Sequence, residues 1–412
     1  MALVKKSHIA IHAYGLMLMS TFVPIKVYPL FFILSCCIFL WEIDLKSKVN
    51  IWVYILIAFS CQVGVSFLFT EKNDEIYTAF FKYLIGFLQL IAIIFCRSFK
   101  NGGKEELSIL GRYLNIIMLL LFAQMLYLHL SYGSITLSSA SSADASNIFN
   151  SASILFGVDD KNIFGAKCAL YGFAATTVFY FQYRRFPLLL ILLVTVTCAL
   201  TLSRTSILFY VLSMAFFWIC VKIDEGKKTL VYSIALLMLV FLLISIPTLS
   251  TYFRISAITN LEHGDGMSLR LIYWLTLFQH GSSISPLGNG ILAGADFLGK
   301  YSDYYNGEPN LHNLFLNNYL DLGFLGFILY MSFFITYVMF INSVLNRPRA
   351  GYLFGIPAFI IMNTLYTAYD NDMWVYFSLS YIISIYSYNV RKKSVIFNNV
   401  KSPVFINHLK ST

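Results

Sequence analysis

The chain has 412 residues, 58% of them hydrophobic and 12% charged, and carries a formal net charge of +9. Average soluble domains carry about twice that charged fraction. Here apolar runs near 20 residues recur from end to end, which excludes an ordinary soluble domain and points to a membrane.

The chain begins with Lys5 and Lys6 ahead of an apolar run, a pattern resembling a signal peptide. No small-residue cleavage site follows, so the run reads as an uncleaved first span. Apolar segments at 8–24, 28–43, 51–70, 77–96, 109–131, 164–182, 186–202, 205–222, 229–248, 314–344, 351–368 and 373–390 predict about twelve transmembrane helices. Residues 1–412 then form a single polytopic domain, an all-α integral membrane protein; the runs lack the alternation of a membrane barrel. The segment from 314 is too long for one simple crossing, so its first turns should lie in the interface or in protein-lined space, with the crossing starting near Gly323.

An even number of spans puts both termini on one side. With cytoplasmic termini, 20 of the 29 lysines and arginines fall inside and nine outside, which fixes the orientation. The basic excess is thus a topology signal, and no nucleic-acid partner is expected. The seven cysteines lie within or beside apolar segments, in no metal-binding spacing, and read as buried small hydrophobes. A Walker-type phosphate loop is missing, which argues against an ATP-driven pump.

Two outer loops are long. The first, 132–163, is rich in serine and alanine and suits a flexible lid or loop. The second, 249–312, lies between spans nine and ten. Within it, apolar residues at 267, 271, 274, 275 and 278 predict an amphipathic helix over 267–280, lying on the membrane surface or on the bundle. Ser285-Pro286-Leu287-Gly288-Asn289-Gly290 then reads as a turn. Tyr301, Tyr304 and Tyr305 suit either stacking on sugar rings or anchoring at the interface.

Ionisable groups at membrane depth are expensive and are functional candidates by default. Arg204 opens the eighth span, Arg254 follows the ninth, Arg270 lies in the loop helix, and His312-Asn313 opens the tenth. All sit toward the same outer surface. Arginine stays charged and presents a fork that suits phosphate, and a histidine can accept a proton near neutral pH. The plainer readings are snorkelling arginines and an interfacial histidine that anchors a helix. Lys167 follows Asp159 and Asp160 closely enough for a local ion pair, and Asp370-Asn371-Asp372 reads as a solvated turn.

Thr201-Leu202-Ser203-Arg204, Arg270 with Trp274, the 285–290 turn, and His312-Asn313 followed by Gly323 and Gly326 together resemble the bacterial O-antigen ligase/polymerase superfamily. The resemblance covers roughly 160–345 and the overall span plan. It implies a GT-C-like membrane glycosyltransferase at the periplasmic face of the inner membrane, using a glycan on undecaprenyl pyrophosphate, with no cofactor and no metal. It implies His312 as the base for an acceptor hydroxyl and Arg204 and Arg270 as holders of the donor pyrophosphate. Arg254, Asn313, Tyr304 and Tyr305 would complete the substrate-binding set, and a chain-length regulator protein would be a partner. The aromatic composition favours a polymerase over a ligase. A lipid-linked sugar transporter is the alternative of a different class, but repeated halves are missing and transport does not need the long outer loop.

Overall fold

The computed structural model describes residues 5–22, 27–44, 46, 49–132, 161–234, 236–237, 266–307, 310–345, 349–364, 367 and 369–401. Among them the chain forms helices α1 (Lys6–Ser20), α2 (Tyr28–Trp41), α3 (Ile51–Phe69), α4 (Asp74–Phe95), α5 (Arg97–Asn101), α6 (Lys104–Tyr132) and α7 (Lys161–Tyr183). There follow α8 (Leu188–Leu200), α9 (Arg204–Asp224), α10 (Gly266–Gln279), α11 (Gly294–Tyr301), α12 (Leu314–Leu345), α13 (Ala350–Met362) and α14 (Asn371–Lys401). Six helices are long and apolar enough to cross a membrane, and α2, α8 and most of α13 are shorter apolar helices. These helices fall where the apolar runs predict spans. More than half of the ninth predicted span and nearly all of the 132–163 loop lie outside the described residues.

Side-chain contacts sort the helix termini into two ends. At one end, His129 of α6 meets the Leu200 carbonyl at the end of α8 at 2.6 Å, and Ser203 donates to Asn162 at 3.1 Å. Lys167 donates to the Thr21 carbonyl just past α1 at 2.8 Å, and Asn313 donates to Asn363 just past α13 at 3.1 Å. Thus α1, α3, α6, α8 and α13 finish at this end, and α2, α4, α7, α9, α12 and α14 start from it. The opposite end carries Lys5–Glu105 at 2.7 Å, Lys6–Glu42 at 3.2 Å and Arg349–Asp224 at 3.5 Å. Basic residues gather there, as the charge bias predicts.

The bundle is organised around α7. Its apolar window is 89% buried, against 39–44% for the other long helices. Gly165, Ala166, Ala169, Gly172, Ala174 and Ala175 make this possible, because small residues let neighbouring backbones approach without a competing side chain. α6, α8, α9 and α14 all pack on it.

Lys167, on α7, pairs with Asp372 at 3.3 Å and lies over the Phe22 ring at 4.7 Å. The local pairing expected with Asp159 and Asp160 concerns residues outside those described; the observed partner is 205 positions away, at the start of α14. The solvated turn read at 370–372 is also corrected. Asp370 is half-buried and accepts from the Thr367 amide at 2.6 Å and its hydroxyl at 3.0 Å, while Asp372 serves the ion pair. Charges this deep persist only when paired, and a span must place the partner.

Candidate functional site

The site is built on a broken helix. Within α12, Gly323 has φ +70° and ψ −172°, a conformation essentially reserved for glycine. The break separates a short half-helix, 314–322, from the long crossing segment, as the excess length predicts. Breaking a helix strands the carbonyls of the preceding turn. Here the last three find new donors. Asn289 N donates to Leu320 O at 2.8 Å, Gly290 N to Asp321 O at 3.1 Å, and Gln62 Nε2 to Leu322 O at 3.0 Å. Ser66 of α3 adds a second bond to Asp321 O at 3.2 Å.

The 285–290 turn is therefore docked on the break. A Cβ at Gly323 would overlap the Pro286 carbonyl oxygen, and one at Gly288 (φ +90°) would overlap the Asp321 carbonyl. The Asp321 carboxylate tightens the same junction. It accepts from the amides of Leu292 at 3.3 Å and Ala293 at 3.1 Å, and from the Tyr369 hydroxyl at 3.1 Å. Sequence reasoning passed over Asp321 and Tyr369. An acidic residue inside an apolar run was the available signal.

Outside the break, the loop helices carry a small core of their own. Tyr273 and Leu277 of α10, Phe297 and Leu298 of α11, and Leu311 and Leu320 are buried together. The helix predicted over 267–280 is α10. It lies where the periodicity puts it, and Tyr273, Thr276 and Leu277 are buried while Leu275 and Phe278 are exposed at 48% and 70%. The helix turns toward α11 and the half-helix because they supply apolar partners that a single-helix pattern does not reveal.

This loop core positions His312. The Trp274 indole donates to the Leu311 carbonyl at 2.8 Å, and the Leu311 amide donates to Asn317 Oδ1 at 3.0 Å. The His312 amide donates to Asn310 Oδ1 at 2.8 Å, and His312 itself is half-buried with φ +50°. That conformation is sparsely populated for residues other than glycine, so the flanking bonds must hold it. Asn313 caps the half-helix, accepting from Phe315 N at 3.0 Å and Leu316 N at 3.1 Å. Its side chain, expected to bind substrate, is engaged in capping and in the bond to Asn363, and so orients the segment that carries His312.

Arg270 lies one turn before Trp274 on α10, so the two share a helix face. The indole bond to Leu311 thereby brings the Arg270 face toward the residue preceding His312. Arg204 is the first residue of α9, behind the Ser203 cap, and α9 packs along α13, whose end at Asn363 holds Asn313. Arg204, Arg270 and His312 thus belong to the same end of the bundle. Tyr304 is 46% exposed, whereas Tyr305 packs against the loop core. Tyr301 stacks on His280 at 4.5 Å, and its phenol is drawn below the ordinary range by hydrogen bonds from Ser283 first and then Lys300. Arg254 lies outside the described residues.

Trp274→Phe should loosen this segment selectively. Losing one partner of a buried bond costs about 1–3 kcal/mol. Limited proteolysis within 302–312 should then run roughly 5- to 100-fold faster, with the helices of the bundle still protected. An unchanged cleavage rate would show that the indole does not hold the segment.

The fold and this polar end define a multi-pass helical membrane protein with an ordered loop assembly docked at one end of the bundle. Residues 188–331, from α8 to beyond Gly326, match the family model described as O-Antigen ligase. The match takes in Arg204, Arg270 and His312 and supports a relation to the O-antigen ligase/polymerase superfamily, whose members are glycosyltransferase-like enzymes. A comparison with curated proteins gives no match.

Proposed function

We propose that the chain is a polyprenyl-pyrophosphate-dependent glycosyltransferase that polymerises O-antigen, or a similar surface polysaccharide, at the periplasmic face of the inner membrane. Both termini are then cytoplasmic, in keeping with the basic Lys5 end of the bundle. The observation that carries the reading is the bond from Trp274 to the Leu311 carbonyl, which links the Arg270 helix to the His312 segment.

In the proposed reaction an acceptor sugar hydroxyl attacks the anomeric carbon of a glycan carried on undecaprenyl pyrophosphate. The new carbon–oxygen bond forms as the bond to pyrophosphate breaks, and the hydroxyl proton passes to the His312 imidazole. Arg270 and Arg204 hold the pyrophosphate and stabilise its growing charge, with Arg254 assigned to the same anion. Fixed cations aimed at a leaving group lower the barrier without reorganising solvent. Tyr304, the more exposed of the adjacent tyrosines, offers a ring for sugar stacking. The bilayer holds the lipid-linked donor, and a chain-length regulator protein is the expected partner.

A hydrogen bond to a charged group is worth about 1.5–3 kcal/mol. Arg270→Ala should therefore slow transfer by roughly ten- to a hundred-fold, read from the rate at which lipid-linked repeats lengthen in membranes. An unaltered rate would remove Arg270 from the site.

The second reading is a ligase that moves the finished glycan to lipid A-core, favoured by the description of the matched family model. The lipopolysaccharide ladder of cells lacking this gene separates the two. Core bearing a single repeat indicates the polymerase. Bare core, with long glycans accumulating on the lipid carrier, indicates the ligase. A normal ladder contradicts both.

A further inference from the structure

At the Lys5 end, far from His312, α1 and the start of α6 bring three metal-ligating side chains together. His8 Nε2 lies 3.3 Å from Glu105 Oε2 and 3.6 Å from Glu106 Oε1. One ligand atom from each residue falls within 4.8 Å of the other two. Zinc bonds to imidazole nitrogen and carboxylate oxygen are about 2.0–2.2 Å long, and tetrahedral ligands on such bonds stand about 3.4 Å apart. Both His8 spacings match that separation and the carboxylates lie within 4.8 Å of each other, so a cation fits between the three groups with a modest adjustment.

The supporting contacts resemble those of a ligand shell. Ser7 Oγ donates to Glu106 Oε1 at 2.6 Å and Gly103 N donates to Oε2 at 2.8 Å, fixing the carboxylate. The His8 side chain is 27% exposed, but its Nε2 is shielded from solvent and faces both carboxylates. Its approach to two carboxylates leaves a ring nitrogen aimed at concentrated negative charge. Lys5 Nζ bonds Glu105 Oε2 at 2.7 Å, but both side chains are more than 60% exposed, so this ammonium is a displaceable competitor. A cavity of about 550 Å³, lined by Lys5, Ser7, Gly103, Glu105 and Glu106 among others, opens beside the cluster and leaves room for water in a fourth position.

We propose that His8, Glu105 and Glu106 form a binding site for a zinc-class divalent cation, which clamps α1 to α6 at the end opposite the transfer chemistry. One imidazole and two carboxylates suit a borderline cation, and their two negative charges balance its two positive ones. The site is independent of the glycosyl-transfer reading. Two of its ligands sit about a hundred positions from the third, so no spacing motif announces it.

The test uses the full chain in detergent micelles, stripped with a chelator and titrated with Zn²⁺ against a chromophoric competitor. One zinc per chain is expected. His8→Ala and Glu106→Gln should each weaken binding at least about tenfold, whereas His12→Ala should leave it unchanged. Lys5→Gln should tighten binding several-fold by removing the competing charge, and it stays informative if the ligand variants fold poorly. Absence of stoichiometric zinc, His8→Ala binding like the wild type, or Lys5→Gln failing to tighten binding would each overturn the proposal.

Discussion

His312→Ala should remove the polysaccharide product while leaving the protein in the membrane at its normal level. A positioned general base contributes about 10²–10⁴-fold, so transfer by the purified chain should fall by that factor. The fold should survive. The His312 amide, not its ring, makes the bond to Asn310, and the neighbouring bonds from Trp274 and Asn313 do not involve the imidazole. Thermal unfolding in micelles, run beside the transfer assay, separates lost chemistry from lost structure. Transfer at the wild-type rate would show that His312 is only an interfacial residue.

Gly323→Ala should produce the largest loss of stability among single-methyl changes in α12. The backbone at φ +70° and ψ −172° costs any side-chain-bearing residue about 1–3 kcal/mol. The new Cβ would also overlap the Pro286 carbonyl oxygen and crowd the Gly288 amide, and such overpacking costs about 1–3 kcal/mol more. Relief requires the 285–290 turn to lift away, which strands the carbonyls of Leu320 and Asp321 that Asn289 and Gly290 now satisfy. Gly326→Ala is the matched control. Its Cβ would also overlap, against the Leu322 side chain, but without a positive φ to oppose it and without displacing the 285–290 turn's backbone, so it should cost less. Equal unfolding midpoints for the two variants would show that the docked turn does not depend on the break.

Much of this architecture was legible because membranes make length and charge informative. The span positions follow from apolar runs, and the break follows from a run too long to cross once. The loop helix at 266–279 follows from period alone, but its buried face does not, since Tyr273 and Leu277 face α11 and the half-helix across gaps of many residues. The same gap hid the pairing of Lys167 with Asp372 and the meeting of Gly288 with Asp321. Asn313 carried a legible signal that admits two readings. A polar residue ahead of an apolar run is first a cap, and its oxygen is indeed bonded to two amides.

Asp321 shows how the chemistry depends on parts that no motif contains. Its carboxylate joins the 285–293 loop, the broken helix and Tyr369 ahead of α14, so three distant segments fix the frame in which His312 and Arg270 sit. The preorganised geometry that the proposed transfer requires would then be set by the docking of the loop on the bundle.

The central claim is that His312 and Arg270 act on one substrate in one site, and a double-mutant cycle tests it most directly. Transfer rates are measured for the wild type, His312→Ala, Arg270→Ala and the double variant, each in nanodiscs with a lipid-linked donor. Residues that act as a unit are non-additive, so the double variant should be little slower than the worse single variant. Losses that multiply fully, as expected for independent sites, would contradict the shared site.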